Sequence, residues 1–371
     1  MKIAIIGSRG YPYVYSGYET FVKELVERLV KKNIEVTVYC HKNLFRDFPK
    51  NVNGVDLVYI PTIEKKSLSQ FVHSIQSIFH ACLRDFDVIL VVNSANGPFG
   101  LITKIFRKPT AINVDGLEWL RPKWKGLGAR YFYFASKLST ILYDEVITDS
   151  DEMQKIYKKE FNADSTVIAY GANIRYSKTP ELIKKWNLSK DGYYLIVGRL
   201  IPDNNSDIIV REFVKSNSTK KLVIVGDVPY NDVFAQEIKK TTDRRVIFTG
   251  YITDQNELAE LYHNCFAYFH GHEFGGTNPT MLKALAYGCA ILALDTVFTK
   301  EMLDRDRYGL YFTKESDNLK TLIENVEKDP ENLCSFRENS RERITANYTW
   351  DKITSQYIDL FNKLTNNKTD K

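Results

Sequence analysis

The 371-residue chain holds no apolar run near the roughly 20 residues that span a bilayer. Its start, Met1-Lys2-Ile3-Ala4-Ile5-Ile6-Gly7, reaches a glycine turn too early for a secretory signal, so a cytoplasmic protein is expected. Paired cysteines are also missing. The five present (Cys40, Cys82, Cys265, Cys289, Cys334) are odd in number, far apart and without C-x-x-C or zinc-site spacing, which predicts buried thiols. Tandem repeats and low-complexity tracts are absent. A large excess of one charge sign is lacking too: the formal net charge of +5 weakly favours phosphate-bearing ligands or an anionic membrane face and gives no argument for nucleic acid. What is there, 44% hydrophobic and 26% charged residues, is globular material with core enough for two domains.

Lys2 to Ile6 is a short β-branched run ending at Gly7-Ser8-Arg9-Gly10, after which Phe21, Val22, Leu25, Val26, Leu29 and Val30 repeat at helical spacing. Val36 to Cys40 predicts a second strand. After an irregular stretch, Phe71, Ile75, Ile78, Phe79 and Cys82 mark one face of another helix. Strands follow at Val88 to Val92, Thr110 to Val114 and Asp144 to Thr148, the last preceded by a helix from Tyr131 to Leu142. The pattern restarts with strands Tyr193 to Val197, Lys221 to Val225, Val246 to Phe248 and Ala267 to His270, each running into glycine. Alternating strands and helices predict two doubly wound α/β units, joined at the polar, proline-bearing Tyr176-Ser177-Lys178-Thr179-Pro180.

In parallel sheets ligands bind beyond the carboxyl ends of the strands, so the residues there are the functional candidates. Gly7-Ser8-Arg9-Gly10 would let backbone approach a phosphate or sugar, but a full G-x-G-x-x-G and an acidic partner for a ribose are missing, which disfavours a dinucleotide. Tyr15-Ser16-Gly17-Tyr18-Glu19-Thr20 opens the first helix; its free amides suit an anion or sugar hydroxyl, with an ordinary cap by Ser16 as an equal alternative. Asp115 and Glu118 follow a strand, as a sugar-hydroxyl acceptor or general base would, or as carboxylates capping the next helix. Arg121, Lys123, Trp124, Lys125 and Arg130 form a basic aromatic patch suited to a lipid diphosphate or membrane surface, or a solvated loop.

Gly198-Arg199-Leu200 also leaves a strand, and the Arg199 fork suits diphosphate oxygens, with a salt bridge to Asp203 as the alternative. The most informative stretch runs from His270 to Ala286, where a strand becomes a glycine loop and then a helix. Pro279 fits the first turn, Asn278 or Thr277 the cap, and Gly275-Gly276 clears side chains where a ligand approaches. Amides after Pro279 would then meet phosphate. His270, His272 and Glu273 lack a third well-spaced metal ligand, so no metal is expected.

Gly7-x-Arg9-Gly10, Gly17-Tyr18-Glu19-Thr20-Phe21, Val114-Asp115-Gly116-Leu117-Glu118-Trp119, Val197-Gly198-Arg199-Leu200 and His270-Gly271-His272 with Gly275-Gly276-Thr277-Asn278-Pro279 together resemble the retaining GT-B glycosyltransferases of family four. Within them the chain is similar, over nearly its whole length, to the rhamnosyltransferase-like subgroup of bacterial cell-surface polysaccharide (capsule) biosynthesis. The resemblance implies a GT-B fold: two Rossmann-like doubly wound domains facing a central cleft. Residues 1–175 would take the acceptor and 176–345 the nucleotide sugar, with a helix over 350–364 crossing back and a polar tail at 365–371. It implies a donor site of Gly198, Arg199, Asn204, His272, Gly275, Gly276, Thr277, Asn278 and Lys283. Asp115, Glu118 and Arg199 would be catalytic, and Gly17, Tyr18, Glu19 and Trp119 would lie on the acceptor side.

Three positions depart from the family pattern. Gly275 and Lys283 stand where paired glutamates eight positions apart are usual, so the ribose loses an acceptor that Lys283 cannot replace. Asn204 stands where a diphosphate-binding lysine is usual, and Ser16 where a glycine is common. The implied reaction is metal-independent, needs no cofactor, and moves a sugar from a dTDP- or UDP-sugar, with dTDP-rhamnose first, to a free or lipid-linked saccharide. Peripheral contact with the inner face of the plasma membrane would suit such an acceptor. A GT-B-fold nucleotide-sugar epimerase and a catalytically degenerate nucleotide-sugar-binding protein are the rival expectations, ahead of a dehydrogenase.

Overall fold

The computed structural model describes residues 1–13, 17–63, 66–228 and 232–369, side chains excepted at 66, 67 and 367–369. The Tyr15 and Ser16 candidates lie outside the described residues. The chain divides into two compact units: Met1–Leu120, Trp124–Tyr170 and Trp350–Lys371 form the first, Arg121–Lys123 and Gly171–Thr349 the second. Both are Rossmann-like α/β domains with parallel sheets.

The first sheet contains β1 (Lys2–Ile6), β2 (Glu35–His41), β3 (Asn51–Val52), β4 (Val55–Ile60), β5 (Val88–Val92), β6 (Thr110–Val114), β7 (Glu145–Thr148) and β8 (Thr166–Val167). Their order is β3-β4-β2-β1-β5-β6-β7-β8, parallel throughout except for the β3–β4 pair. β5 and β6 are buried at every residue. Central strands of a parallel sheet are covered on both faces, so they read as continuous apolar runs, and that made them legible. The β3–β4 hairpin falls in the stretch expected to be irregular. β3, at two residues, is too brief for any period to show, and in the six-residue β4 buried Val55, Leu57 and Ile60 are mixed with exposed and half-buried positions.

The second sheet contains β9 (Tyr193–Val197), β10 (Lys221–Val225), β11 (Val246–Gly250), β12 (Ala267–His270), β13 (Ile291–Leu294) and β14 (Gly309–Phe312), in the order β11-β10-β9-β12-β13-β14. All its pairings are parallel. β13 and β14 were not anticipated, although at four residues each they are as long as β7 and β12, so length does not account for the difference. The last helix, Trp350–Thr369, belongs to the first unit, where Tyr357 packs its ring 5.4 Å from Phe21 and its hydroxyl accepts from Asn113 Nδ2 at 2.9 Å. It runs five residues beyond Leu364, into the segment expected as a tail.

The helix Lys66–Cys82 forms where its spacing predicts, but its faces differ from expectation. Ile78 and Cys82 are buried, whereas Phe71, Ile75 and Phe79 are exposed together with Leu68. The inward face instead carries His73, Ser74 and Ser77. Polar groups serve there: His73 stacks on His41 at 3.8 Å, and Gln70 Nε2 donates to the Gly7 carbonyl at 3.0 Å. Of the five thiols, four are buried and Cys334 is exposed, against the expectation for that residue.

Gly226 follows β10 with φ +114°, and a Cβ there would stand 2.2 Å from the Gly198 carbonyl oxygen. Both the left-handed backbone and the contact require glycine. Gly226→Ala is expected to lower stability by about 1–3 kcal/mol, read as a lower urea midpoint; an unchanged midpoint would show that the loop yields freely.

Candidate functional site

The order of the second sheet reverses at β9: the chain winds outward through β10 and β11, then returns to lay β12 on the other side. Two loops leave carboxyl ends at that switch point, Gly198-Arg199 after β9 and the stretch from Gly271 after β12. Open α/β sheets leave a ligand crevice at this place.

The two loops are stitched together. Asn204 Nδ2 donates to the Arg199 carbonyl at 2.8 Å, and its Oδ1 faces His272 Nδ1 at 2.9 Å. Asn205 Nδ2 donates to the Gly271 carbonyl at 2.8 Å, and the Glu273 amide donates to the Asp203 carbonyl at 3.1 Å. A Cβ on Gly271 would lie 2.2 Å from the Asn204 carbonyl oxygen, so this glycine is set by the approach of the loops. Asn204, named for the donor, thus uses both ends of its amide within the protein. Asn205, buried and left-handed at φ 49°, was missed because nothing in its local sequence marks it.

Arg199 is exposed and makes no ion pair with any described residue. The Asp203 carboxylate, weighed as its partner, lies instead 3.7 Å from Arg121 Nε. Arg121 also donates to the Phe274 carbonyl at 3.1 Å and is 11% exposed, so it is withdrawn from the basic patch expected around Trp124. Burial pushes the His270 imidazole down to about 3. Burial, then the charges of Arg121 and Arg199 together with the His270 ring, hold His272 well below the usual range. Both rings are held toward the neutral form, and the Asn204 amide oxygen, which only accepts, favours the His272 tautomer that carries its proton on Nδ1. Glu273 pairs with Lys314 at 2.5 Å. Among the described residues no group of three or more His, Cys, Asp or Glu is placed to hold a metal ion.

The glycine loop then opens the helix Pro279–Ala286, with Asn278 as its cap. Asn278 Oδ1 accepts from the Thr280 amide at 3.0 Å and from its hydroxyl at 2.7 Å. That amide is therefore spent on the cap and is not among those available to a phosphate. Thr277 is buried beside the cap, Gly276 is buried and Gly275 half-buried. Neither glycine has left-handed backbone, so turn geometry does not account for the pair. Lys283 is half-buried, in the second turn of the helix.

In the first unit, Asp115 follows β6, and its two carboxylate oxygens accept from the hydroxyls of Tyr18 and Tyr170, the latter at 2.7 Å. Tyr170 was not anticipated; it lies 55 residues away in sequence and no motif surrounds it. Burial, and then the Asp115 charge, raise its phenol well above the ordinary range, so it remains a donor. Glu118 accepts from Trp124 Nε1 at 2.9 Å. Trp119 meets Tyr133, Tyr157 and Phe161 edge-on, with ring centroids 5.7–6.1 Å away. Gly17 begins the helix Gly17–Lys31, and Glu19, buried within it, accepts from the Arg9 amide at 3.1 Å. Asp115, Tyr18 and Tyr170 are thereby brought together, while Glu19 ties down the loop after β1.

His270 generates a pH dependence. Its folded pKa of about 3 lies below the ordinary 6.5, so the unfolded chain takes up a proton first as pH falls. The stability from keeping it neutral is complete above about pH 6.5 and is lost progressively below it. His41 and His73, lowered to about 4 and about 3, act in the same direction. His270→Phe should therefore lose less melting temperature than the parent between about pH 7 and pH 5. Equal slopes would refute the burial cost assigned to this ring.

Residues 178–343 match the family model Glycosyl transferases group 1, and residues 1–173 match DUF1972, a domain of unknown function. An N-acetylgalactosamine-N,N'-diacetylbacillosaminyl-diphospho-undecaprenol 4-alpha-N-acetylgalactosaminyltransferase from Campylobacter jejuni is 26% identical over 171 residues, 44% of each chain. A probable sucrose-phosphate synthase from Thermosipho melanesiensis is 24% identical over 179 residues, 46% of this chain and 41% of that one. The alignments thus span under half the length of either relative. Among solved structures, a sucrose-phosphate synthase from Thermosynechococcus elongatus superposes with a TM-score of 0.83 at 18% identity, covering 98% of both chains. Anabaena HepE in complex with UDP gives 0.77 at 16% identity, over 98% of this chain and 100% of that one. The chain is therefore a GT-B-fold protein of two Rossmann-like domains, whose residues 178–343 carry the sequence pattern of glycosyl transferases group 1.

Proposed function

We propose that this protein is a retaining, metal-independent glycosyltransferase that moves a sugar from a nucleoside diphosphate donor to a saccharide acceptor in cell-surface polysaccharide synthesis. The observation that carries the reading is the switch point of the second sheet, where an exposed Arg199, with no ion pair among the described residues, and a glycine loop leave adjacent strands. The group 1 match over the same half and the UDP held by the similarly folded HepE support a nucleotide diphosphate there. The motif resemblance supports L-rhamnose as the sugar, dTDP as the nucleotide and a lipid-linked acceptor at the inner face of the plasma membrane.

In this reading the Arg199 guanidinium faces the diphosphate, and Gly275 to Asn278 line the phosphate and sugar. Lys283 supplies positive charge where the family has an acidic partner for the ribose. The leaving diphosphate gains negative charge as its bond to the sugar breaks, and the permanent charge of Arg199 stabilises that gain. The acceptor hydroxyl attacks the same face of an oxocarbenium-like sugar. Asp115, with its tyrosine pair, orients a hydroxyl on the acceptor side with Gly17, Tyr18, Glu19 and Trp119, and Glu118 faces the reacting sugar.

A melting panel of nucleotide sugars, followed by mass spectrometry of the product on a lipid-linked acceptor, identifies donor and product. Arg199→Ala should reduce transfer by about 10²–10³-fold at an unchanged melting temperature. Transfer at the parental rate, or conversion of donor to an isomer without any acceptor, would overturn the reading.

A further inference from the structure

The inverted helix Lys66–Cys82 does not stand alone. Phe79 contacts Phe106 at 5.8 Å, just past the helix Gly100–Ile105. Lys104 of that helix donates to the Ile141 carbonyl at 2.6 Å, at the end of the helix Leu127–Leu142. A Cβ on Gly100 would fall 2.7 Å from Leu142 Cβ, so the second and third helices pack at close range. Each turns large apolar side chains to solvent, with Ile105 69% exposed and Phe134 57%. Along Leu127–Leu142 the stripe mixes apolar with basic: Leu127, Arg130, Tyr131, Phe134, Lys137 and Ile141 are all exposed at helical spacing.

The charge pattern selects the occupant. None of the three helices contains a single Asp or Glu. Leaving out Arg121 and Lys123, which belong to the second unit, residues 66–142 carry eight Lys and Arg against four Asp and Glu, an excess of four. A face buried against a second copy of itself would set these cations against each other. An anionic bilayer surface offers acyl chains to the aromatic and aliphatic tips and headgroup charge to the lysines and arginines.

We propose that the helices Lys66–Cys82, Gly100–Ile105 and Leu127–Leu142 form one face of the first unit that docks on an anionic lipid surface. This face, rather than the stretch around Trp124, holds the protein at the membrane. The inference stands apart from sugar transfer, since it invokes none of the donor or acceptor residues.

The test is sedimentation of the full chain with vesicles of phosphatidylcholine alone or with roughly one-third phosphatidylglycerol. Binding is expected to the anionic vesicles only and to weaken with added salt. The variant Phe79→Glu, Ile105→Glu, Phe134→Glu should lose at least about tenfold in partitioning, with circular dichroism confirming its fold. Should that variant fail to fold, Arg130→Glu with Lys137→Glu reports on the same face. No anionic binding by the parent, or parental binding by the folded variants, overturns the proposal. So does a dimer in sedimentation velocity that the substitutions dissociate while vesicle binding persists. Because no donor is present, each outcome leaves the transfer reading to its own test.

Discussion

The reversal of strand order at β9 is the constraint on which the donor half depends. A parallel sheet wound both ways from one strand must leave two neighbouring carboxyl ends whose following loops diverge. Here those loops are Gly198 to Asn205 and Gly271 to Asn278. Their separation is not left to chance: Asn204 and Asn205 clamp them through His272 and the Gly271 carbonyl, and Gly271 lacks the methyl group that would push them apart. With the backbone held this way, Arg199 is left exposed at the strand end, because the carboxylate nearest in sequence, Asp203, is turned toward Arg121.

In the first unit the same topology has a different consequence. The loop after β1 is held from two sides, by Glu19 on the Arg9 amide and by Gln70 on the Gly7 carbonyl. Supplying the second contact puts a polar face of the helix Lys66–Cys82 inward, where His73 and His41 stack without charge. Its apolar stripe then has nowhere to go but solvent. An inward polar face and an outward apolar one are thus two sides of one arrangement, and the acid-free neighbouring helices extend the outward face.

Asp115 shows how a sequence motif acquires a defined chemistry. The carboxylate was visible as a residue just beyond a strand. Its pairing with Tyr18 and Tyr170 joins three distant stretches of chain, and the burial of Tyr170 guarantees that its hydroxyl donates. Each oxygen of Asp115 is aimed by one phenol, which fixes the plane of the carboxylate presented to any third group.

Most of the alternation of strands and helices was legible because buried parallel strands are written as short runs rich in β-branched, aliphatic and aromatic residues and surface helices as periodic ones. β5, β6, β9, β10 and β12 fall where those runs lie, and Asn278-Pro279 marks a helix start by local chemistry alone. The two-residue β3 is too brief to leave such a pattern, whereas β4, β13 and β14 are as long as strands that were legible, so length does not separate them. Sequence by itself determined two wound units and the chemistry stationed at their strand ends, because propensity, capping and glycine turns act over a few residues. Only the tertiary structure decided which strand ends became neighbours, which arginine Asp203 would face, and which face of the helix Lys66–Cys82 would meet water. Those outcomes rest on contacts between stretches tens of residues apart, where pairing order and packing outweigh local preference.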